Sequence, residues 1–265
     1  MILAGNILKM KSTLGDVVEY KLPIGDDLIL MNEFLEKKLS LEFTGKINCI
    51  HSGKKIKKSY GQGYSYESFM KLAACDMCIV RPELCHFDNG TCREPEWGKA
   101  NCFTPHVIYL SDTSSIKVGI TRKSQVPTRW IDQGASRAIP LVEVDNRKVS
   151  GQVEVELKSM FNDKTNWRNM LKGITSDIDL DEQKEVVFEE FAELFDDMGA
   201  EEIEESVIEI NYPVVEYPKK INSLSFDKSP KIEGTLLGIK GQYLIFDIGV
   251  INMRKHQGYN VNLKV

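Results

Sequence analysis

The sequence predicts an α+β protein in which a central ββα unit follows a cysteine-rich segment and strands lie near both ends. Three observations indicate this fold class. Short apolar stretches punctuated by glycines occur near both ends, a hairpin pattern followed by helical patterns occupies the middle, and five of the six cysteines lie between Cys75 and Cys102. With 265 residues, the chain can bury a substantial hydrophobic core.

Composition excludes several classes of protein. The chain is 42% hydrophobic and 28% charged, as is ordinary for a globular protein, so collagen-like and largely disordered chains are excluded. No apolar run approaches the roughly 20 residues of a membrane-spanning helix, and the N-terminus lacks the apolar stretch of a signal peptide. We therefore expect a cytoplasmic protein without a membrane partner.

Charge is distributed unevenly along the chain. Residues 175–206 contain fourteen acidic residues and one lysine, a local charge of −13, whereas the whole chain carries −5 and the remainder therefore +8. This acidic segment masks a basic body, so the overall charge does not argue against a nucleic-acid partner. Within it, residues 181–197 are predicted to form an amphipathic helix, because Val187, Phe191 and Leu194 recur at helical spacing.

The middle of the chain predicts a hairpin followed by two helices. Val107–Leu110 and Ile116–Thr121 are the predicted strands, because apolar and polar residues alternate along the second of them. Asp112–Ser115 supplies the turn. Helical patterns then cover Thr128–Ala138 and Gly151–Phe161.

These patterns divide the chain into five regions. We expect the first and last of them to pack together as one β-rich module. The regions are a β-rich part (1–50), a basic and aromatic stretch with the cysteine-rich segment (51–105), the ββα core (106–174), the acidic helix region (175–212) and a second β-rich part (213–265).

The cysteine-rich segment predicts a metal site. Two residues separate Cys75 from Cys78, so both thiolates can reach one ion from a tight turn. The remaining ligands would come from Cys85, His86, Cys92 and Cys102. These are more than a tetrahedral ion needs, and the sequence does not choose among them. Because four sulfur or imidazole ligands close the coordination shell, we expect a structural zinc site.

Three other interpretations of this cluster are disulfides, an iron–sulfur cluster and unligated buried thiols. Nothing in the sequence directs export to a compartment where disulfides form. The spacings also differ from the compact patterns of ferredoxins. The density of the cluster favours metal binding over unligated thiols.

Several strings in the sequence resemble known families. HVIYL (106–110) followed by IKVGITR (116–122), a helix that bears Arg129, and then Glu154 resembles the GIY-YIG nuclease superfamily. More closely, the chain resembles an uncharacterised bacterial domain-of-unknown-function family with a GIY-YIG-like core. The strings that carry this resemblance are CDMCIVRPELCHFDNGTCREPEWG (75–98), TRWIDQGA (128–135), DKTNWR (163–168) and GIKGQYLIFDIGVINMRKHQGY (238–259).

The resemblance implies a GIY-YIG-like ββα core and a role for each matching residue. Tyr109 matches the tyrosine that helps to activate the attacking water, and Gly119 matches a glycine where backbone approaches closely. Arg129 would neutralise the scissile phosphate, and Glu154 would hold a catalytic Mg²⁺ or Mn²⁺. Cleavage of a phosphodiester needs these parts, namely a positioned nucleophile, a cation and an arginine that bonds two phosphate oxygens.

The sequence departs from the pattern of these families at two places. Lys117 stands where the second motif has a tyrosine, which removes one candidate base from the catalytic set. Upstream, Cys49 is accompanied by Ser52, Ser65 and Ser68 where the resemblance implies further thiols. One thiol does not make a tetrahedral shell, so we expect no second metal site there.

A basic cluster precedes the cysteine-rich segment. Lysines beside aromatic rings suit single-stranded nucleic acid, because the charges neutralise phosphate while the rings stack on bases. The alternative is a solvated surface without a ligand. The candidate nucleic-acid-binding residues are Lys54, Lys55, Lys57, Lys58, Tyr60 and Arg122.

We therefore expect a protein that binds DNA or RNA and is either a divalent-metal-dependent endonuclease or a nuclease-derived binder that does not cleave. The rival expectation is a zinc-containing interaction module with a protein partner, in which the hairpin unit is only a scaffold. A third is an enzyme that acts on another substrate, with Asp132, Gln133 and Lys117 as polar groups of its pocket.

Overall fold

The computed structural model describes residues 2–161 and 166–265. It confirms the α+β class and divides into two compact units. The first unit comprises residues 1–70, 171–173 and 210–265, and the second comprises residues 71–170 and 174–209. The string DKTNWR, which contributed to the family resemblance, lies outside the described residues at positions 163–165.

Strands outnumber helices in the described residues. The strands are β1 (Ile2–Asn6), β2 (Lys11–Thr13), β3 (Glu19–Ile24), β4 (Asp27–Leu30), β5 (Lys38–Asn48), β6 (Lys55–Ile56), β7 (His106–Asp112), β8 (Ile116–Arg122), β9 (Arg137–Val144), β10 (Glu201–Glu202), β11 (Ile208–Glu209), β12 (Lys231–Lys240), β13 (Tyr243–Phe246), β14 (Gly249–Asn252) and β15 (Tyr259–Lys264). The helices are α1 (Tyr66–Lys71), α2 (Pro95–Cys102), α3 (Thr128–Gln133), α4 (Arg147–Leu157), α5 (Trp167–Met170) and α6 (Leu180–Asp197).

The first unit is built on an antiparallel sheet that contains both ends of the chain. Its strand order is β1-β15-β5-β12-β13-β14, and β6 pairs with β5. β15 lies between β1 and β5 in this sheet. Its residues Tyr259, Val261 and Leu263 alternate with polar residues and are buried, so one face of the strand lies in the core. A second sheet, β2-β3-β4, completes this unit.

The second unit contains the predicted hairpin. β7 and β8 pair in antiparallel register, and the strand order of the sheet is β10-β9-β7-β8. Ile108 and Leu110 share a core with Val153 and Leu157 of α4 and with apolar residues of α6. Because side chains alternate along a strand, Tyr109 points to the opposite face of the sheet from Ile108 and Leu110.

The structure corrects the first of the two helices predicted after the hairpin. The pattern predicted a helix over Thr128–Ala138, but α3 ends at Gln133, where Gly134 adopts a left-handed φ of 75°. The residues that follow form β9, which pairs with β7 and was missed in the sequence. β9 is apolar and buried along most of its length, as expected for a strand with partners on both sides.

The second predicted helix begins and ends four residues earlier than Gly151–Phe161. α4 starts where the side chain of Asn146 accepts a hydrogen bond from the Val149 N–H, at 3.0 Å, which satisfies a free donor at the helix start. The acidic helix predicted over 181–197 is confirmed as α6, which the Asp179 carboxylate caps.

Among the described residues, no helix combines the length and apolar composition needed to cross a membrane.

Asp112 connects three segments of the second unit. It is fully buried at the end of β7 and accepts hydrogen bonds from Ser114 N at 3.0 Å and Ser176 N at 2.8 Å. Its carboxylate also pairs with Arg137 of β9 at 3.1 Å, and Arg137 donates to the Ser176 carbonyl at 2.7 Å. This carboxylate therefore holds the chain that leads into α6 against the hairpin.

We expect Asp112→Ala to lower the free energy of unfolding by about 3 kcal/mol, because two partly buried N–H donors and a partly buried guanidinium lose their acceptor. Urea unfolding of the full chain measures this change. Asp145→Ala removes an exposed carboxylate of the same unit and serves as the control. Equal midpoints for the two variants would contradict the assigned role of Asp112.

Candidate active site and metal centre

Tyr109 is the centre of the candidate active site. It is fully buried on β7 and lies directly opposite Gly119 of β8. A Cβ atom at Gly119 would lie 2.7 Å from both the ring carbon Cζ and the hydroxyl oxygen of Tyr109. Only glycine therefore leaves room for the phenol ring across the hairpin.

Helix α3 supplies the polar partners of Tyr109. The Tyr109 hydroxyl donates to Gln133 Oε1 at 3.1 Å and accepts a hydrogen bond from Arg129. Burial raises the pKa of Tyr109, and the positive charge of Arg129 opposes this effect. Trp130 packs edge-on against the phenol ring, with 5.7 Å between ring centroids. Tyr109 is thus a protonated phenol at neutral pH with both hydrogen-bonding roles filled.

Glu154 of α4 brings a carboxylate into the same environment. Burial raises its pKa, Lys158 opposes this through an ion pair of 3.2 Å, Glu83 adds to it, and Arg129 opposes it. Glu154 also raises the pKa of Tyr109. The structure therefore brings together Tyr109, Gly119, Arg129 and Glu154, which the sequence could place only along the chain.

Lys117, the fifth predicted catalytic residue, lies on β8 two positions before Gly119. It is 5% exposed and pairs in register with Ser111 of β7. Positions two apart share a face of a strand, so Lys117 lies on the same face of the sheet as Tyr109 and Gly119. Gln133, which was singled out only as a polar group of a hypothetical pocket, is the Tyr109 partner. Its spacing of four residues from Arg129 predicts that the two side chains share one face of the helix, and both contact the Tyr109 hydroxyl.

The cysteine-rich segment folds into short 3₁₀ turns and packs directly against α4. A Cβ atom at Gly151 would lie 2.6 Å from Pro82 Cβ and 2.7 Å from Glu83 N, so the helix and the turn Pro82–Leu84 touch through backbone. Arg147, one turn earlier on α4, donates to the Ile79 carbonyl at 2.5 Å. The helix that carries Glu154 is therefore held by the cysteine-rich segment.

Five of the six predicted metal ligands line one small cavity in this segment. The cavity has a volume of about 20 Å³ and is bordered by Cys78, Cys85, His86, Cys92 and Cys102, together with Asp76. This is space for about one ion or water molecule. Cys75 is not among the residues that line the cavity. Asp76, which lies between Cys75 and Cys78, was not predicted as a ligand, because thiols and imidazoles are the usual ligands of structural zinc.

Three ligand atoms in this cavity are already close enough to hold a metal ion. Suitable atoms of Asp76, Cys78 and His86 all lie within 4.8 Å of one another. The Asp76 carboxylate is also occupied, since it pairs with Arg93 at 2.6 Å and lies 3.6 Å from His86 Nε2. His86 Nδ1 is 2.8 Å from the Thr91 hydroxyl, which orients the ring. A Cys/Asp/His cluster that could hold a metal ion is therefore present.

The thiols of this cavity influence one another. Burial raises the pKa of Cys78 to about 11, and the charges of Asp76, Cys85 and Cys102 add to this effect. The pKa of Cys102 is also raised by burial, which Arg147 opposes and Cys85 and Cys92 reinforce. Clustered thiolates repel one another, and a cation between them removes that repulsion. The arrangement therefore favours either protonated thiols or a bound metal.

The predicted nucleic-acid-binding residues are divided between the two units. Lys54, Lys55, Lys57 and Lys58 are exposed in the first unit. There the Lys58 amine lies 5.3 Å from the Tyr60 ring centroid, and Tyr60 packs edge-on against Tyr66 at 5.3 Å. Arg122 is in the second unit, where it donates to Asn101 Oδ1 at 2.6 Å.

The four upstream positions at which the resemblance implied thiols also lie together. Cys49 Sγ is 3.5 Å from Ser68 Oγ, which accepts from Ser65 Oγ at 3.0 Å. Burial acts to raise the pKa of Cys49, but hydrogen bonds from Ser52 and Ser68 and from backbone N–H groups lower it to about 5. A single thiolate surrounded by three serines lacks the ligands of a tetrahedral zinc site.

Comparison with known proteins identifies one family. Residues 36–261 match the model of a family described as "Protein of unknown function (DUF2797)". No curated protein and no solved structure matches the chain.

The candidate metal site predicts that Cys78→Ser fails to retain a metal ion and that Cys75→Ser retains about one equivalent, because Cys78 lines the cavity and Cys75 does not. Elemental analysis of the purified full-length variants after dialysis measures metal content, and thermal unfolding reports the accompanying loss of stability. Loss of metal from Cys75→Ser with retention in Cys78→Ser would contradict this ligand assignment.

Proposed function

The chain belongs to the DUF2797 family, and we propose that it binds nucleic acid and cleaves phosphodiester bonds through a GIY-YIG-like core. One observation carries this proposal. Tyr109, Gly119, Arg129 and Glu154, which match the motif positions of that superfamily, share one environment in the second unit.

The topology around these residues supports the same proposal. The hairpin β7–β8 is followed by α3, then by β9, which pairs with β7, and then by α4. This arrangement puts Arg129 on the first helix after the hairpin and Glu154 on the second, as the resemblance implies for a GIY-YIG-like core. The fold by itself does not specify an activity, so the argument rests on the residues of the site.

The side chains of the site suit a phosphodiester substrate. Arg129 presents a planar guanidinium, which can bond two phosphate oxygens. Lys117 adds positive charge on the same strand face. Glu154 is the carboxylate that would hold Mg²⁺ or Mn²⁺, and such a cation supplies stabilisation of charge that develops on the phosphate.

We propose zinc as the occupant of the cysteine-lined cavity. Thiolate-rich tetrahedral sites are typical of structural zinc. Cys78, Cys85, Cys92 and Cys102 would close the shell, while Asp76 and His86 either replace a thiol or support the ligands from outside. Since this segment packs on α4, zinc would stabilise the helix that carries Glu154.

The lysines of the first unit would provide a second contact with nucleic acid. Exposed amines beside the edge-to-face rings of Tyr60 and Tyr66 offer charge for phosphates and aromatic faces for bases. Binding at this surface would be independent of the chemistry at Tyr109.

We expect Glu154→Gln to reduce nucleic-acid cleavage in Mg²⁺ or Mn²⁺ by at least about 100-fold, because the amide removes the charge that holds the cation. Glu156→Gln, on the exposed side of the same helix, should cleave like the parent protein. The assay uses single- and double-stranded DNA and RNA, with EDTA as a control and with zinc content and folding checked for each variant.

Three results would contradict parts of this proposal. Equal activity of Glu154→Gln and Glu156→Gln would place the activity elsewhere. Salt-sensitive binding without cleavage would leave a nuclease-like fold that only recognises nucleic acid. Absence of both binding and cleavage would favour the rival, a zinc-containing interaction module.

We expect replacement of Lys57 and Lys58 by alanine to weaken binding to single strands and to make it less sensitive to salt. The slope of log affinity against log salt concentration should fall by about 1.4, or about 0.7 for each lost phosphate contact. Fluorescence anisotropy over a salt series measures this slope. Replacing Lys219 and Lys220, two adjacent exposed lysines of the same unit, is the matched control and should leave the slope unchanged.

A further inference from the structure

The first unit contains a cavity that the proposed chemistry does not use. Its volume is about 540 Å³, within the range of small-molecule sites. The polar residues around it are Asn6, Asp26, Asn48, Cys49 and Asn260. All of them belong to the first unit.

Backbone contacts fix the walls of this cavity. Gly258 adopts a φ of 83° and lies so close to the Asn48 carbonyl that a side chain would collide with it. Asn48 N donates to the Gly258 carbonyl at 2.8 Å, and Gly258 N donates to the Ile7 carbonyl at 2.8 Å. On the other side, Gly25 N donates to the Asn6 carbonyl at 3.0 Å. The cavity is therefore formed before any ligand binds.

The hydrogen bonds of the lining amides determine which groups remain for a ligand. Asn260 donates to Asn6 Oδ1 at 3.0 Å and accepts from the Thr44 hydroxyl at 2.8 Å. Asn48 Nδ2 donates to the Gly53 carbonyl at 2.8 Å. Within the described residues, this leaves the Asn6 amide N–H₂, the Asn48 amide oxygen and the Asp26 carboxylate without hydrogen-bond partners. The cavity thus offers one donor group and two acceptor groups.

We infer that this cavity binds a nucleobase, with preference for guanine, extruded from a single strand. Guanine presents the complementary pattern. Its N1–H and N2–H₂ donors suit the Asp26 carboxylate and the Asn48 oxygen, and its O6 and N7 acceptors suit the Asn6 amide. Adenine lacks a donor at N1, and uracil and thymine each offer a single N–H. These bases therefore donate fewer hydrogen bonds to the Asp26 carboxylate than guanine does. Asp26 also repels phosphate, so the base rather than the backbone enters.

The position of the lysine cluster supports this mode of binding. The chain leaves the cavity wall at Gly53 and continues directly into Lys54 and Lys55. Lys55 pairs with Asn48 across β5 and β6, and the Lys54 carbonyl accepts from Cys49 N at 2.9 Å. Positive charge therefore lies beside a cavity that itself carries an acidic group. This arrangement suits a strand whose phosphates contact the lysines while one base enters the cavity. This inference rests on the nucleic-acid-binding part of the proposed function, not on cleavage.

The test is direct titration of the full-length protein with the four 5′-mononucleotides, GMP, AMP, CMP and UMP, by calorimetry. GMP should bind at least about tenfold more tightly than AMP or UMP. Asp26→Asn should weaken GMP binding at least about tenfold, because the amide replaces one acceptor oxygen with a donor. Asp27→Asn alters the neighbouring exposed carboxylate, which does not line the cavity, and should leave GMP binding unchanged.

A second measurement uses fluorescently labelled octathymidylate and the same strand with one central guanine. The parent protein should prefer the guanine-containing strand, and Asp26→Asn should remove the preference while keeping the salt dependence set by the lysines. Equal binding of all four mononucleotides, no GMP binding, or equal effects of Asp26→Asn and Asp27→Asn would overturn the inference. Cleavage without GMP binding would refute only the pocket, and guanine preference without cleavage would refute only the nuclease activity.

Discussion

The second unit depends on the contact between Gly151 and the turn at Pro82–Leu84. No Cβ atom fits at Gly151, since Pro82 Cβ would lie 2.6 Å away and Glu83 N 2.7 Å away. Any side chain would move α4 away from the cysteine-rich segment. Because Glu154 lies three residues later on the same helical face, this contact also determines where its carboxylate lies relative to Tyr109 and Arg129.

The electrostatics across this contact link the metal centre to the candidate active site. Burial lowers the pKa of Arg147, whose guanidinium faces the cysteine-rich segment, and the thiols of Cys102 and Cys78 oppose that effect. One guanidinium offsets a single thiolate charge, whereas a divalent cation offsets two charges and also coordinates the sulfur atoms directly. Metal binding would therefore stabilise the segment that supports α4, and the position of Glu154 would follow from it.

Local patterns in the sequence predicted the elements that depend on local interactions. The hairpin β7–β8 and the helix α6 were found because apolar periodicity determines each of them. β9 was missed because its strand character comes from pairing with β7, about thirty residues earlier in the chain, and the predicted helix covered its first two residues, Arg137 and Ala138. The sequence predicted a metal site from the number and spacing of the cysteines, but it did not predict which of them line the cavity. The exclusion of Cys75 from the cavity and the inclusion of Asp76 depend on how the 3₁₀ turns orient successive side chains, which spacing alone does not determine.

Lys117 stands where the proposed GIY-YIG-like core would have a tyrosine, and this difference bears on how the site would act. An ammonium group is not a proton acceptor, and the raised pKa of Tyr109 keeps its phenol protonated near neutral pH. The Tyr109 hydroxyl already donates to Gln133, so a phosphate oxygen must displace that partner to receive its hydrogen bond. In the proposed function, Arg129 and Lys117 would bind phosphate through charge alone, without any deprotonation. Cleavage additionally requires a proton acceptor, and a phenol with a raised pKa does not provide one at neutral pH. Within the proposed function, these side chains would therefore serve phosphate binding, and hydrolysis would depend on the cation that Glu154 would hold.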